Sequence, residues 1–292
     1  MTTSINNRIF YQRLWSLTLP IAFQSLMLAT VAASDALMLG RVAQDEMTAV
    51  SLATQIQFIQ NMFLTSVTAA GAILGAQYYG KGDGKTIEQL FNLMLRLCGA
   101  ISILFFAACE AVPDWLMRAF THDAPLVALG SAYLRIAGWS YLLTGVSQCC
   151  LTVMKVTDHV RPCAVVSTSA VLANILLNCV FIFGLLGAPR MNARGAALAT
   201  TLARAIEVGL CVFFCSKDGY IRPDWDSFFR SRRQLGEDFR KQCLPLLGAS
   251  LLWGVGFTSY TAIMGHMGSA GAAGSLRVPL AGAGGLFLHM PG

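Results

Sequence analysis

Long apolar segments separated by short polar breaks recur along this chain of 292 residues. A helix needs about 20 mainly apolar residues to cross the roughly 30 Å hydrocarbon core of a bilayer. Seven segments reach that length, and together they predict an all-α polytopic membrane protein. They run from about Leu14 to Leu39, Met47 to Tyr79, Ile87 to Val112, Leu126 to Met154, Cys163 to Leu186, Ala196 to Cys215 and Phe239 to Gly265.

The charge of the chain indicates its orientation in the membrane. Apolar residues make up 55% of the sequence and charged residues only 12%, whereas soluble domains are roughly a quarter charged. Lys and Arg are retained on the cytoplasmic side of short loops, and about thirteen of them fall on one side of the predicted spans against four on the other. We therefore expect an inner (plasma) membrane protein with a cytoplasmic N-terminus, in contact with lipid and with no nucleic-acid partner.

The cysteines and histidines give little support for a metal site or an enzyme. The nine cysteines lie mostly within apolar spans, with no CxxC pair and no histidine at metal-ligand spacing. All four histidines fall in predicted loops or in the tail. We expect reduced, buried thiols, no cofactor other than a coupling ion, and no catalytic cluster.

An internal repeat relates the first and seventh spans. Leu19 to Gly40 and Leu244 to Gly265 align without gaps and match at six positions, including a Pro near the start and a Gly at the end. In this alignment Tyr260 is the counterpart of Asp35. Because six spans separate the two copies, both run in the same direction, as in the parallel repeats of secondary transporters.

The repeat divides the chain into predicted domains. Residues 1–216 form a six-helix N-terminal lobe, 217–238 a cytoplasmic linker and 239–269 the first helix of a second lobe. Residues 270–292 are rich in Gly and Ala and fit neither a span nor a capped loop. We interpret this tail as a truncated or frame-shifted second lobe; the alternative is a short flexible tail on a complete seven-span protein.

Polar residues within the spans predict a coupling-ion site. A charge such as Asp35 costs on the order of 2.5 to 3.5 kcal/mol at the bilayer centre, and Asn174 and Asn178 lie one helical turn apart on one face of the fifth span. Counted along the helices, all three reach the outer half of the membrane. With Thr200 or Thr201 of the sixth span, they offer oxygen ligands for a monovalent cation, or a carboxylate for a proton.

Structural roles remain open for the same residues. Asp35 could be a hydrated carboxylate at a helix end, and the two asparagines could form interhelical hydrogen bonds worth about 0.6 kcal/mol each. Arg204 and Glu207, three residues apart in the sixth span, predict an ion pair within the helix. Other polar side chains could line a substrate path: Gln24, Gln55, Gln57, Gln60, Asn61, Gln148 and Tyr260.

Several sequence motifs, taken in order, resemble the multidrug and toxic compound extrusion (MATE) family. They are LTLPI (17–21), SDALMLGRV (34–42), AVSLATQI (49–56), GAQYYGKGD (75–83), ANILLNCVFIFGLLGAPRMNARGAALAT (173–200) and IMGHMG (263–268). The resemblance implies twelve helices in two six-helix lobes that export organic cations and other amphipathic compounds in exchange for H+ or Na+. It also implies that Asp35, Asn174 and Asn178 form a cation site in the first lobe, where many relatives have Asp at the position of Asn178.

We therefore expect a secondary active multidrug antiporter, represented by its six-helix N-lobe plus a seventh transmembrane helix. A transport-inactive fragment of such a transporter is the first alternative, and self-association would be needed if the fragment is active. A lipid-intermediate flippase of related fold is disfavoured because the first lobe has no cluster of intramembrane Arg. An intramembrane enzyme lacks a catalytic cluster.

Overall fold

The computed structural model describes residues 44–184, 187, 189–216, 228 and 233–266, together with isolated positions between 11 and 26. All regular structure among these residues is helical. The helices are α1 (Gln44–Gly80), α2 (Gly84–Ala111), α3 (Pro113–Arg118), α4 (Ala124–Val156), α5 (Val160–Phe183), α6 (Asn192–Cys215) and α7 (Arg233–His266). Within this part of the chain, α1, α2, α4, α5 and α6 are long and apolar enough to cross a membrane.

The observed helices follow the predicted spans closely. The five membrane-length helices correspond to the second to sixth predicted spans, so the all-helical membrane fold is confirmed. The seventh span lies in α7, which begins at Arg233, so residues 233–238 of the predicted linker are helical. The first predicted span lies outside the described residues except for isolated positions.

Local sequence signals set several helix ends. Gly82, with a φ of +72°, makes the turn between α1 and α2, a left-handed conformation that glycine adopts without steric cost. Asp83 caps α2: its Oδ1 accepts from the Thr86 backbone N–H at 3.1 Å, and its Oδ2 accepts from the Thr86 hydroxyl at 2.6 Å. Prolines stand in the first turns of α3 and α4, where no helical hydrogen bond is lost.

Helix α4 is the central helix of the bundle. It packs against α1, α2, α3 and α6, whereas α5 packs mainly on α6 and α7 packs on α1. Small residues permit this close packing: a Cβ atom on Gly145 would lie 3.0 Å from the carbonyl oxygen of Cys98 and would collide with the Ser102 hydroxyl. Close backbone approach at small residues is the usual basis of helix association in membranes.

The buried apolar residues form two clusters along the bundle. One lies at the end where α1 begins and includes Ile56, Leu134 and Ile182. The other lies where α1 ends and includes Phe91 and Met154. Between them, the fully buried Gln60 donates from its Nε2 to the Tyr141 carbonyl at 2.9 Å and to the Ser102 hydroxyl at 3.3 Å. This amide ties α1 to both α4 and α2 at the level where the two clusters meet.

The packing at Gly145 predicts a position-specific effect on stability. Gly145→Leu should lower the free energy of unfolding by about 1–3 kcal/mol, because the new side chain has no room between α4 and α2. Gly209→Leu is the matched control, since a Cβ at Gly209 of α6 meets no atom within 4 Å. The melting temperatures of the two purified variants are compared in detergent. Equal losses in melting temperature would contradict the close packing at Gly145.

Candidate functional site

The helical hairpin of α5 and α6 carries three of the predicted site residues. Asn174 and Asn178 lie in α5, and Thr200 lies in α6. The hairpin is held together near its turn by a hydrogen bond from the Met191 backbone N–H to the Phe181 carbonyl, at 3.0 Å. At Gly195 the two helices come so close that a Cβ atom would lie 2.7 Å from the Phe181 carbonyl oxygen. Because glycine has no Cβ, Gly195 lets α5 and α6 pack closely next to their turn.

The side chains of these three residues form one hydrogen-bonded chain. Asn178 Nδ2 donates to Asn174 Oδ1 at 3.1 Å, and Asn174 Nδ2 donates to Thr200 Oγ1 at 3.3 Å. The Thr200 hydroxyl donates in turn to the carbonyl of Ala196, at 3.0 Å. Thr201 is not part of this chain, because its hydroxyl donates to the carbonyls of Ala197 and of Ile136 in α4. Thr200 is therefore the threonine that the structure brings to the two asparagines.

The site is buried and is made of neutral groups. Asn178 has no exposed surface and Asn174 is 6% exposed, while Thr200 is half-buried. Amide and hydroxyl oxygens are ligands that alkali and other hard cations accept. The three described residues supply no negative charge, so any carboxylate ligand to a cation bound among them would come from elsewhere in the chain.

Three other predicted residues fall outside what the structure describes. Asp35 and Gln24 lie in the first predicted span, outside the described residues. Tyr260 belongs to the described backbone of α7, but its side chain lies outside the described part of the chain. The carboxylate contribution of Asp35 therefore stays a prediction.

Two of the predicted path residues leave α1 in different directions. Gln55 and Asn61 are six positions apart in α1, about 600° of helical rotation, so their side chains leave the helix about 120° apart. Gln55 is buried, and its Oε1 accepts no hydrogen bond from the described residues. Asn61 of α1 and Gln148 of α4 are half-buried.

The ion pair predicted in α6 is confirmed. Arg204 Nη1 lies 2.6 Å from Glu207 Oε2. The Glu207 residue is only 3% exposed, and a buried carboxylate requires such a partner. The pair lies near the middle of the helix, where it neutralises both charges.

One polar contact was not predicted from the sequence. Glu46, in the first turn of α1, accepts from Asn192 Nδ2 at 3.0 Å and from the Ala193 backbone N–H at 2.9 Å. The two sides of this contact are separated by 146 positions in the chain, and acidic residues are common in first helical turns. The sequence therefore carries no signal that pairs them.

The described residues contain no group of three or more His, Cys, Asp or Glu side chains that could hold a metal ion.

The family model MatE matches residues 20–180, more than half of the chain. The chain belongs to the MatE family. The family resemblance inferred from the sequence motifs is thereby confirmed, and the site lies within or next to the matched region.

Curated relatives and solved structures agree with this assignment. The probable multidrug resistance protein NorM of Bradyrhizobium diazoefficiens is 26% identical over 186 residues, which cover 64% of this chain and 40% of that relative. The uncharacterized transporter YisQ of Bacillus subtilis is 23% identical over 262 residues, which cover 86% of this chain and 56% of YisQ. Thus the chain spans about half the length of the curated relatives it matches.

The structural comparison establishes the fold. A solved structure of the MATE multidrug transporter DinF-BH superposes with a TM-score of 0.82 at 18% identity. The superposition covers 94% of this chain and 60% of that transporter. The chain accordingly has the fold of that transporter over the matched part and is a multi-pass membrane protein.

Asn174 is the residue that links the two helices of the site, so its loss should reduce stability measurably. Asn174→Leu removes the donor to Thr200 and the acceptor for Asn178, and should lower the free energy of unfolding by about 0.6–1.7 kcal/mol. The same substitution at Asn61, which forms no hydrogen bond with Asn174, Asn178 or Thr200, is the control. The stability of both variants is measured by unfolding them in mixed micelles with increasing SDS. The prediction is wrong if Asn174→Leu is no less stable than Asn61→Leu.

Proposed function

We propose that this chain belongs to a secondary active multidrug efflux antiporter that exports organic cations and other amphipathic compounds in exchange for H+ or Na+. The observation that carries this proposal is the hydrogen-bonded cluster of Asn178, Asn174 and Thr200, which lies in a membrane-spanning hairpin of a MatE family member. Polar groups inside a membrane bundle are costly and often mark ion pathways. The relatives described as multidrug resistance proteins support the class of substrate.

The proposed coupling site combines Asp35 with these three residues. Asn174 lies 14 residues after the start of α5 and Thr200 lies eight residues after the start of α6, or about 21 Å and 12 Å along the two helices. The cluster thus lies nearer to the turn of the hairpin than to its open end. Asp35 would supply the negative charge that the amides and the hydroxyl lack, either as a ligand to Na+ or as the group that takes up H+.

Exchange follows if the cation and the drug favour different states of the transporter. A ligand shifts a conformational equilibrium only by the difference between its affinities for the two states. Cation binding at Asp35 would favour the state that releases drug outside, and drug binding would favour release of the cation inside. By thermodynamic linkage, each ligand weakens the binding of the other by the same factor.

The proposed domain layout follows the repeat. Residues 1–216 form the first lobe, 217–238 the cytoplasmic linker and 239–269 the first helix of the second lobe, in the inner membrane with the N-terminus in the cytoplasm. The described part of α7 lies against α1, where Ser66 Oγ donates to Ser250 Oγ at 3.2 Å and Phe58 packs on Trp253 with ring centroids 5.6 Å apart. A drug path in the first lobe would include Gln24, Gln55, Asn61 and Gln148, with Tyr260 contributed by α7.

The proposal predicts efflux that depends on one carboxylate. Cells that express this chain should extrude a fluorescent organic cation when energised, and Asp35→Asn should abolish that efflux. Asp45→Asn is the matched control, because Asp45 is an exposed carboxylate in the first turn of α1 and should be dispensable. Membrane insertion of all three proteins is checked by immunoblotting of washed membranes.

Two results would contradict the proposal. Efflux that survives Asp35→Asn would exclude Asp35 as the coupling residue. Absence of efflux from the inserted wild-type chain would show that these residues alone do not transport, as expected for a transport-inactive fragment.

A further inference from the structure

The N-terminal ends of α1 and α6 are joined by Glu46. Its two carboxylate oxygens are used separately: Oε1 accepts from Asn192 Nδ2 at 3.0 Å, and Oε2 accepts from the Ala193 backbone N–H at 2.9 Å. A carboxylate that accepts from a backbone N–H in the first turn of a helix also interacts favourably with the helix dipole. Glu46 therefore holds the start of α6 by a charged contact from a different helix.

The start of α6 is a constrained segment. Asn192 has a φ of +50°, a left-handed backbone conformation that is uncommon for residues other than glycine. The preceding residue, Met191, donates its backbone N–H to the Phe181 carbonyl at 3.0 Å, and Gly195 packs directly against Phe181. The start of α6 is therefore held from two sides, by α5 at Phe181 and by α1 at Glu46.

These contacts lie between the candidate cation site and the turn of the hairpin. Asn178 is three residues before Phe181 in α5, and Thr200 is seven residues after Ala193 in α6, about 10 Å along the helix. The bond from Asn174 to Thr200 is 3.3 Å long, slightly beyond the usual upper limit for an N–H···O hydrogen bond. A small displacement of α6 along its axis would therefore break the link between the two helices.

We propose that Glu46 is a positioning residue for the cation site: by clamping Asn192 and Ala193, it sets the height of Thr200 relative to Asn174. This inference rests on the coupling site proposed above. Glu46 does not touch the cation in this arrangement. It acts through α6, which carries Thr200 at a fixed distance from the clamp.

The test is a measurement of the asparagine side chains themselves. The chain contains seven asparagines, so selective labelling with 15N-asparagine gives few side-chain NH2 signals in the NMR spectrum of the full chain in nanodiscs. The signal of Asn174 is assigned from its loss in Asn174→Leu, and that of Asn192 from its loss in Asn192→Gly. The spectra of wild type, Glu46→Gln and Asp45→Asn are then compared.

Glu46→Gln should shift the signals of both Asn192 and Asn174, because a glutamine offers only one acceptor oxygen and no charge. Asp45→Asn removes the same charge from the same helical turn and should shift neither. An unchanged Asn192 signal in Glu46→Gln would show that the clamp does not exist. A shifted Asn192 signal with an unchanged Asn174 signal would show that the clamp does not reach the site. Either result overturns the proposal.

Asn192→Gly provides a second, milder variant. It removes the side-chain donor and suits the positive φ, but it keeps the bond from the Ala193 backbone to Glu46, so the Asn174 signal should shift less than in Glu46→Gln. A shift as large as that in Glu46→Gln would assign the effect to Asn192 rather than to Glu46.

Transport is measured separately, so that the two proposals fail in different ways. If the chain catalyses cation-coupled efflux, Glu46→Gln should raise the Na+ or H+ concentration that gives half-maximal efflux, and Asp45→Asn should not. Equal values in the two variants would overturn the positioning role. If the wild-type chain shows no efflux, the coupling function fails, and the NMR comparison still decides whether Glu46 positions Thr200.

Discussion

The absence of water in the hydrocarbon core is the constraint on which this structure depends. A backbone N–H or C=O without a partner costs several kcal/mol there, so each spanning segment satisfies its own backbone as a helix. The same constraint acts on polar side chains, which find partners inside the bundle. Gln60 binds the Tyr141 carbonyl and Ser102, and Glu207 binds Arg204. Polar groups therefore determine which helices meet as well as where a ligand could bind.

The close approach of α4 to its neighbours provides the framework for these contacts. Gly145 brings α4 next to Ser102 and Cys98 of α2, while Thr201 of α6 reaches the carbonyl of Ile136 in α4 at 3.2 Å. The hairpin of α5 and α6 is thus held against a packed core. A cation site on such a hairpin would keep its geometry when the ion leaves, since its ligands belong to rigid helices.

The neutral character of the described site has a chemical consequence. Asn178 and Asn174 use their amide N–H groups within the hydrogen-bonded chain that ends at Thr200. Amide and hydroxyl oxygens are the groups of this site suited to a cation, and such neutral oxygens do not titrate. Proton coupling at this site would require a titratable group other than these three residues, and Asp35 is the candidate that the sequence predicts. The contact from Glu46 to the start of α6 would keep this arrangement in register from the end where α1 and α6 begin.

The sequence by itself determined the all-helical membrane fold and the positions of the second to sixth spans. Apolar length decides both, because any segment long enough to cross the bilayer forms a helix wherever it packs. It also placed Asn174 one turn from Asn178 and Arg204 one turn from Glu207, since spacing within a helix is fixed by the helix itself. The choice between Thr200 and Thr201 as the partner of Asn174 was open, because it depends on the rotation of α6 against α5. The tertiary structure decided it, as it decided the contact between Glu46 and Ala193. These relations join different helices or depend on helix orientation, and they are set by packing at close-approach residues such as Gly145 and Gly195, which leaves no periodic signal in the sequence.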